Sequence, residues 1–229
     1  MSIKEFPSVQ FNNLSWKYFH LGERTLLLQA PGKIAIEEIH QSASLSKQVL
    51  GNALIDIVPS YDAIALFYQG DYKDILKKLE SAEDLLESKK AEPKVLEIPV
   101  CYEMGMDLEE VASYTKMRIE ELVEHHENGN YRVMMIGFTP GFIYMDGLAT
   151  ELECPRKSNP RKHVEAGSVG IGGSQTGIYS LNSPGGWNII GRTPLTLFDS
   201  GSSKPPGIEP GTKIRFSRIT KEEFERWEN

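Results

Sequence analysis

From Gly137 to Pro210, glycine or proline interrupts the chain every few residues, and this spacing limits the possible folds more than any other feature of the sequence. Glycine makes a helix interior expensive to order and proline removes an amide donor from it, so no long helix runs through this stretch. Short strands joined by tight turns do fit. Residues 131–138, just upstream, form a β-rich run. The architecture predicted for the C-terminal half is therefore a closed or nearly closed β-barrel. It is preceded by a strand at 95–102, a helix capped by Asp107 and running to about Ser113, and a helical segment at 118–126. Residues 221–227 read as one terminal helical turn.

The N-terminal half has a different texture. Residues 16–20 and 25–29 read as strands joined by a turn at Leu21-Gly-Glu-Arg24, and residues 35–50 follow a helical period that stops at Gly51. Two further β-rich runs, 55–58 and 63–68, precede a second helix over 71–88, whose one side carries Ile75, Leu76, Leu79, Leu85 and Leu86. The order is ββαββα. The polar, charged segment 88–94, which contains Pro93, is the expected linker. The fold class is thus α+β, with domains at residues 1–92 and 93–229.

A chain of 229 residues with 40% hydrophobic and 25% charged residues is long enough for two such domains. Its net charge of −7 supplies no broad basic field, so neither nucleic acid nor a membrane surface is an expected partner. No stretch approaches the ~20 apolar residues of a membrane span and no secretory pattern opens the chain, so the expected location is the cytoplasm. Cys101 and Cys154 stand far apart without a CxxC or His-Cys spacing, which reads as two reduced structural thiols, and no metal-ligand set is evident.

Chemistry concentrates in the glycine-rich half. Gly137-Phe-Thr-Pro-Gly-Phe142 is either a structural turn with its aromatics tucked inside or the aromatic lip of a pocket. The run from Gly167 to Gly177 lacks the lysine of a P-loop and the last glycine of a dinucleotide fingerprint. It reads as barrel turns, or as an anion site built from successive N–H groups, with Gly172 and Gly173 as donors. Gln175, Thr176 and Tyr179 add groups that orient a ligand, while Phe142 and Trp187 supply walls. Arg156, Arg161 and Arg192 are suited to a carboxylate or phosphate, although for any one arginine a solvated surface role is the commoner one. His126, at the end of a helical segment, reads as a cap or as the best proton-transferring histidine of the chain. No Ser-His-Asp order, zinc signature or carboxylate pair emerges from the spacing.

The motifs Ile98-Pro-Val, His126-x4-Tyr131, Gly137-Phe-x-Pro-Gly-Phe-x-Tyr144, Pro155-Arg, Pro160-Arg, Ala166-Gly-Ser-Val-Gly-Ile-Gly-Gly, Gln175-Thr-Gly-Ile-Tyr179, Ser183-Pro-Gly-Gly-Trp187 and Ile190-Gly-Arg-Thr-Pro194 occur in order. Together they resemble the KipI/PxpB family, also labelled allophanate hydrolase subunit 1. Gly22-Glu-Arg-Thr-Leu-Leu and the strands at 55–68 extend the likeness into the N-terminal half. The resemblance implies a ferredoxin-like domain followed by a cyclophilin-like β-barrel. It also implies a role as the PxpB-type subunit of an ATP-dependent 5-oxoprolinase, which opens 5-oxoproline to glutamate. The implied partners are a second cyclophilin-like subunit of the PxpC/KipA type and a barrel-type subunit of the PxpA type, with ATP bound here or in a partner. On this reading His126 and Arg192 are catalytic, and Phe142, Arg156, Arg161, Gly172, Gly173, Gln175, Thr176, Tyr179 and Trp187 bind substrate. Two other roles stay open: a KipI-like inhibitor of a sensor histidine kinase, and an allophanate hydrolase subunit 1-type amidohydrolase component. The sequence departs from the family pattern at Glu165 and at Met145-Asp146, both expected on the rim of the pocket.

Overall fold

The computed structural model describes residues 6–82, 94–199, 201 and 208–227. Contacts divide the chain into two compact units, Met1–Glu92 and Pro93–Asn229. The expected linker at 88–94 lies outside the described residues except for Lys94.

The first unit contains β1 (Ser8–Phe11), β2 (Leu14–His20), β3 (Thr25–Gln29), α1 (Ile36–Leu50), β4 (Leu54–Pro59), β5 (Ala63–Tyr68) and α2 (Tyr72–Glu80). Its sheet runs β1-β2-β3-β5-β4, and every neighbouring pair is antiparallel. Strands β3 and β4 are therefore parallel to each other with β5 between them, a split βαβ arrangement. Strand alternation places Leu26 and Leu28 with Ile64 and Leu66 on one face, where they join Ile39 of α1 and Ile75 and Leu79 of α2 in a single core. Helix α1 stops where Gly51 takes φ +49, and α2 starts where the Asp71 carboxylate accepts the Lys73 N–H at 2.9 Å. Strand β1 is an addition to the expected elements. Its signal is Asn12-Asn13, both at positive φ (51° and 59°), because asparagine tolerates the left-handed conformation that a two-residue hairpin turn requires. The second helix ends at Glu80, and positions 83–88 of its expected span lie outside the described residues.

The second unit contains β6 (Val95–Val100), α3 (Leu108–Thr115), α4 (Ile119–Glu127), β7 (Tyr131–Ile136), β8 (Ile143–Asp146), β9 (Arg161–Val164), β10 (Ser168–Ile171), β11 (Thr176–Ile178), β12 (Ser183–Gly185), β13 (Asn188–Arg192), β14 (Lys213–Arg218) and α5 (Lys221–Glu225). Seven strands form one curled sheet in the order β13-β10-β11-β8-β7-β14-β6, and β12 pairs with β9 in a separate ribbon. The sheet's two outer strands meet just past the end of β6. There Cys101 N–H donates to Arg192 O at 2.8 Å and Arg192 N–H donates back to Cys101 O at 3.0 Å. Inside, Val100, Val133, Met145, Val169, Ile178 and Ile190 pack with Val111 of α3 and Leu122 of α4. Helix α3 ends at Lys116, which takes the left-handed conformation with φ 59°. Both cysteines are free and buried, and burial raises both thiols above their ordinary range, which keeps them unreactive.

Candidate functional site

The second unit carries a cleft of about 320 Å³ lined by aromatic rings. Phe142 immediately precedes β8 and Tyr144 lies two residues further along, so both rings project to one side of the strand. Tyr179 follows β11, and Trp187 stands between β12 and β13. The Phe142 ring lies 4.5 Å from Tyr144, 4.9 Å from Tyr179 and 5.6 Å from Trp187, with the last two edge-on. Val164 and Ile189 complete this cluster. Phe138 forms the outer lip and Pro160, Pro184 and Gly186 the opposite rim.

The glycines next to this cluster make room for its rings. A Cβ at Gly172 would lie 2.6 Å from the Trp187 ring, one at Gly177 2.8 Å from it, and one at Gly185 2.2 Å from the Tyr179 hydroxyl. Trp187 and Tyr179 thus lie flat on bare backbone. The same geometry corrects the reading of Gly172 and Gly173 as anion donors. Gly172 N–H already donates to Gln175 O at 3.0 Å and Gly173 N–H to Cys154 O at 2.8 Å. Both amides are thus committed to backbone partners rather than free to donate to an anion.

The three arginines separate by their partners. Arg156 is exposed, holds its guanidinium 5.4 Å from the Trp187 ring centroid at the mouth of the cleft, and makes no ion pair among the described residues. Arg161 is bound to Asp107 instead. Asp107 is only 3% exposed and also takes Lys157 Nζ at 2.8 Å and the Ile189 N–H at 2.7 Å. Burial works against its charge, but the hydrogen bonds from Lys157, Arg161 and Ile189 N–H outweigh burial and hold the carboxyl below its ordinary 3.8. The expectation that this side chain caps α3 is corrected: it makes no cap bond and ties the helix start to β13 and the cleft's cations. Lys157, which lines the cleft, is further paired with Glu110.

Arg192 lies in a separate groove of about 410 Å³ beside α5. Its Nε donates to Ala166 O at 2.9 Å, its Nη1 pairs with Glu165, and its guanidinium rides 5.6 Å from the Phe224 ring centroid. It does not line the aromatic cleft. Glu165, one of the two departures from the family pattern, is thus an intramolecular counter-ion. In the other departure Met145 is fully buried in the core and Asp146 is exposed at the end of β8, and neither these nor Glu165 lines the cleft.

His126 is fully buried. Its Nδ1 lies 2.8 Å from the Tyr102 hydroxyl and its Nε2 3.0 Å from Thr176 Oγ1. The Thr176 hydroxyl donates to Gly170 O at 3.1 Å, so it accepts from Nε2–H, and Nδ1 in turn accepts from Tyr102. The chain of donors closes with a neutral imidazole, stacked 4.7 Å from Phe216, and burial lowers its pKa to about 3. No face of His126 or Thr176 reaches a substrate, which corrects both expectations: these residues connect α4 to the inside of the sheet. Gln175 reaches toward Met134 of β7 at 3.5 Å, away from the cleft.

Of the expected site residues the structure therefore brings together Phe142, Arg156, Tyr179 and Trp187. Sequence reasoning missed Tyr144, Lys157 and Asp107 as members of this neighbourhood. Tyr144 was signalled by its two-residue spacing from Phe142, and Lys157 by its place beside Arg156. Asp107 carried no signal separable from a helix cap.

A profile of the family described as "Carboxyltransferase domain, subdomain C and D" matches residues 16–208. The B component of 5-oxoprolinase from Bacillus subtilis (strain 168) is 35% identical over 204 residues, 81% of this chain and 84% of that protein. The chain belongs to this family. The corresponding 5-oxoprolinase B component of Haemophilus influenzae is 34% identical over 201 residues, 86% of this chain and 94% of that protein. Among solved structures, TTHA0988 superposes with a TM-score of 0.74 at 34% identity over 86% of this chain, which spans 40% of that longer one. The urea carboxylase of Kluyveromyces lactis shares the fold, with a TM-score of 0.71 at 18% identity over 96% of this chain and 23% of its own. Among the described residues, no helix is long and apolar enough to cross a membrane.

Proposed function

We propose that this chain is the PxpB-type subunit of an ATP-dependent 5-oxoprolinase, acting with partner subunits to open 5-oxoproline to glutamate. The observation that carries the reading at the level of residues is the aromatic cleft with Arg156 at its mouth, free of any ion pair to a described residue. A five-membered cyclic amide bearing a carboxylate matches both features: its flat ring lies against Tyr144 and Trp187, and its charge meets a guanidinium with no counter-ion among the described residues. The contribution of this chain is binding and orientation. Opening the ring takes one water per amide bond and leaves one glutamate. The described residues offer no activated nucleophile for that step, and the amides of Gly172 and Gly173 are already committed. These features support placing ATP and the bond-breaking chemistry on the partners, one a second cyclophilin-like subunit and one barrel-type. In the same reading the split βαβ sheet of the first unit is ferredoxin-like, with its outer strand supplied from the N-terminal side, and the curled sheet is a cyclophilin-like barrel.

The test is to purify the chain with its partner subunits and measure ATP-dependent glutamate release from 5-oxoproline. The isolated chain is expected to be inactive. Arg156→Ala is expected to lower kcat/KM of the complex about tenfold to a hundredfold, since a charge-assisted hydrogen bond contributes ~1.5–3 kcal/mol. Its thermal midpoint should not move, because the side chain is exposed. Turnover by the chain alone, or full activity of Arg156→Ala in the complex, overturns the proposal.

A further inference from the structure

We infer that Phe138 is a strained lip that closes the cleft over a small ring-bearing carboxylate, making it a specificity-determining residue of this site. The inference rests on the cleft reading proposed above. Phe138 is 64% exposed and holds φ +69. A bulky non-glycine side chain in the left-handed region is a true outlier, and such strain persists only where the surrounding structure over-determines it.

The loop is fixed at both ends. Gly137 N–H donates to Phe142 O and Phe142 N–H to Thr139 O, both at 3.1 Å, and the Ser180 hydroxyl donates to Pro140 O. Gly141 takes φ +78, and a Cβ there would lie 3.0 Å from Phe198 Cβ and 3.2 Å from Ser180 Cβ. The fold therefore holds an apolar ring in solvent in a conformation that a glycine at position 138 would adopt without strain.

What the ring gains is its position. It stands edge-on to Phe142 with 5.7 Å between centroids and forms part of the cleft's lining, together with Trp187 and Arg156. A ligand ring seated against Trp187 with its carboxylate toward Arg156 leaves its outer face to water unless something covers it. Phe138 is the side chain placed to do so, and burying its exposed ring on the ligand is the stabilisation that offsets the strain.

The test uses the isolated chain and two probes, 5-oxoproline and benzoate, a flat ring with one carboxylate that cannot be hydrolysed. Binding is read from the Trp187 indole N–H resonance, assigned with Trp187→Phe, and stability from the thermal midpoint. Phe138→Gly is expected to weaken probe binding at least tenfold while its midpoint stays the same or rises by about 2–4 °C as the strain is relieved. Phe138→Ala keeps the strain and loses the ring, so it should bind as weakly with a lower midpoint than Phe138→Gly. Phe138→Tyr should restore binding. Benzoate binding that depends on Phe138, with no response to 5-oxoproline, supports the lip and removes the substrate assignment made above. Equal binding by wild type and Phe138→Gly, no response of Trp187 to either probe, or a fall in midpoint on Phe138→Gly overturns the inference.

Discussion

Arg156 and Arg192 look alike by local chemistry. Each carries its guanidinium over an aromatic ring, 5.4 Å from the centroid of Trp187 in one case and 5.6 Å from that of Phe224 in the other. Each borders a concave surface and stands close to glycine turns. They differ in counter-charge: Glu165 and the Ala166 carbonyl hold Arg192, whereas no described residue ion-pairs with Arg156. Stacking on a ring therefore does not separate a binding cation from a structural one, but internal neutralisation does. The same distinction divides the whole glycine-rich half. His126, Thr176, Gly172 and Gly173 have polar groups answered inside the fold, and Arg161 meets Asp107 through Nη2 while its buried Nη1 has no hydrogen-bond partner among the described residues; Arg156 and the rim of the aromatic cleft face solvent.

The deepest of the answered groups gives the largest expected effect. Removing the imidazole leaves the Tyr102 hydroxyl and Thr176 buried without their partner, so His126→Ala is expected to destabilise the protein by about 3–4 kcal/mol. A pH profile sharpens the point. Because the folded pKa of about 3 lies below the ordinary 6.5, the unfolded chain binds the proton first as pH falls. This contribution is fully present above pH 6.5 and is lost on acidification toward pH 3, at roughly 1.4 kcal/mol per pH unit. Asp107 and Glu223, whose carboxyls are held below 3.8 and 4.5, add their own losses only as pH falls toward those values, so urea unfolding between about pH 5.5 and 6.5 isolates the histidine. His126→Gln should be less stable at pH 7 and show a flatter slope across that window. An unchanged slope would mean that His126 is accessible and belongs with Arg156 after all.

How much of this was readable in the sequence follows from the range of the interactions. Strand alternation and the Gly51 stop are local, and the sequence showed them; the Asp71 cap is just as local, but the sequence showed only the helix start there. The hairpin at Asn12-Asn13 is equally local, but its first strand is only four residues long and offers too short an alternation to stand out beside the hydrophobic run that follows it. The curling of the C-terminal sheet was legible from glycine and proline spacing, since that pattern rules out helices whatever the rest of the chain does. The site was only half legible. Phe142, Tyr179 and Trp187 announce themselves as large rings among glycines, but whether an arginine is neutralised depends on residues far along the chain. Arg161 meets Asp107 across 54 positions and Arg192 meets Glu165 across 27. No spacing rule reports such pairs, and the role of His126 was hidden for the same reason, its partner Thr176 lying 50 residues away.

An intermediate effect tests why the glycine run is glycine. If Gly172 exists to let Trp187 lie on the backbone, Gly172→Ala forces a Cβ to within 2.6 Å of that ring and must displace it. Overpacking of this kind costs about 1–3 kcal/mol. Gly173 has nothing within 4 Å of a Cβ and only its φ of +71 to strain, so Gly173→Ala should cost about 1–2 kcal/mol without moving any ring. Near-ultraviolet circular dichroism should show a perturbed tryptophan for the first variant and not for the second. Equal stability of both, combined with equal loss of ATP-dependent activity in the complex, would return the run to the anion-binding role and remove it from the packing side of the comparison.

The smallest expected effect falls on Arg192, and it decides the contrast with Arg156. Lysine in its place keeps a charge for Glu165 but loses the Nε–H bond to Ala166 O and the planar stack on Phe224. The hydrogen bond contributes about 1 kcal/mol and the partly exposed ion pair at most about another, so Arg192→Lys should lower stability by roughly 0.5–1.5 kcal/mol. Glu165→Gln should cost less still, and the double variant should reveal a coupling below about 1 kcal/mol that shrinks with added salt. Since neither side chain lines the cleft, kcat/KM for 5-oxoproline in the reconstituted complex should stay within about twofold of wild type for both variants. A tenfold loss in Arg192→Lys with an unchanged midpoint would show that the Glu165 pair opens for substrate, and internal neutralisation would then no longer distinguish the two arginines.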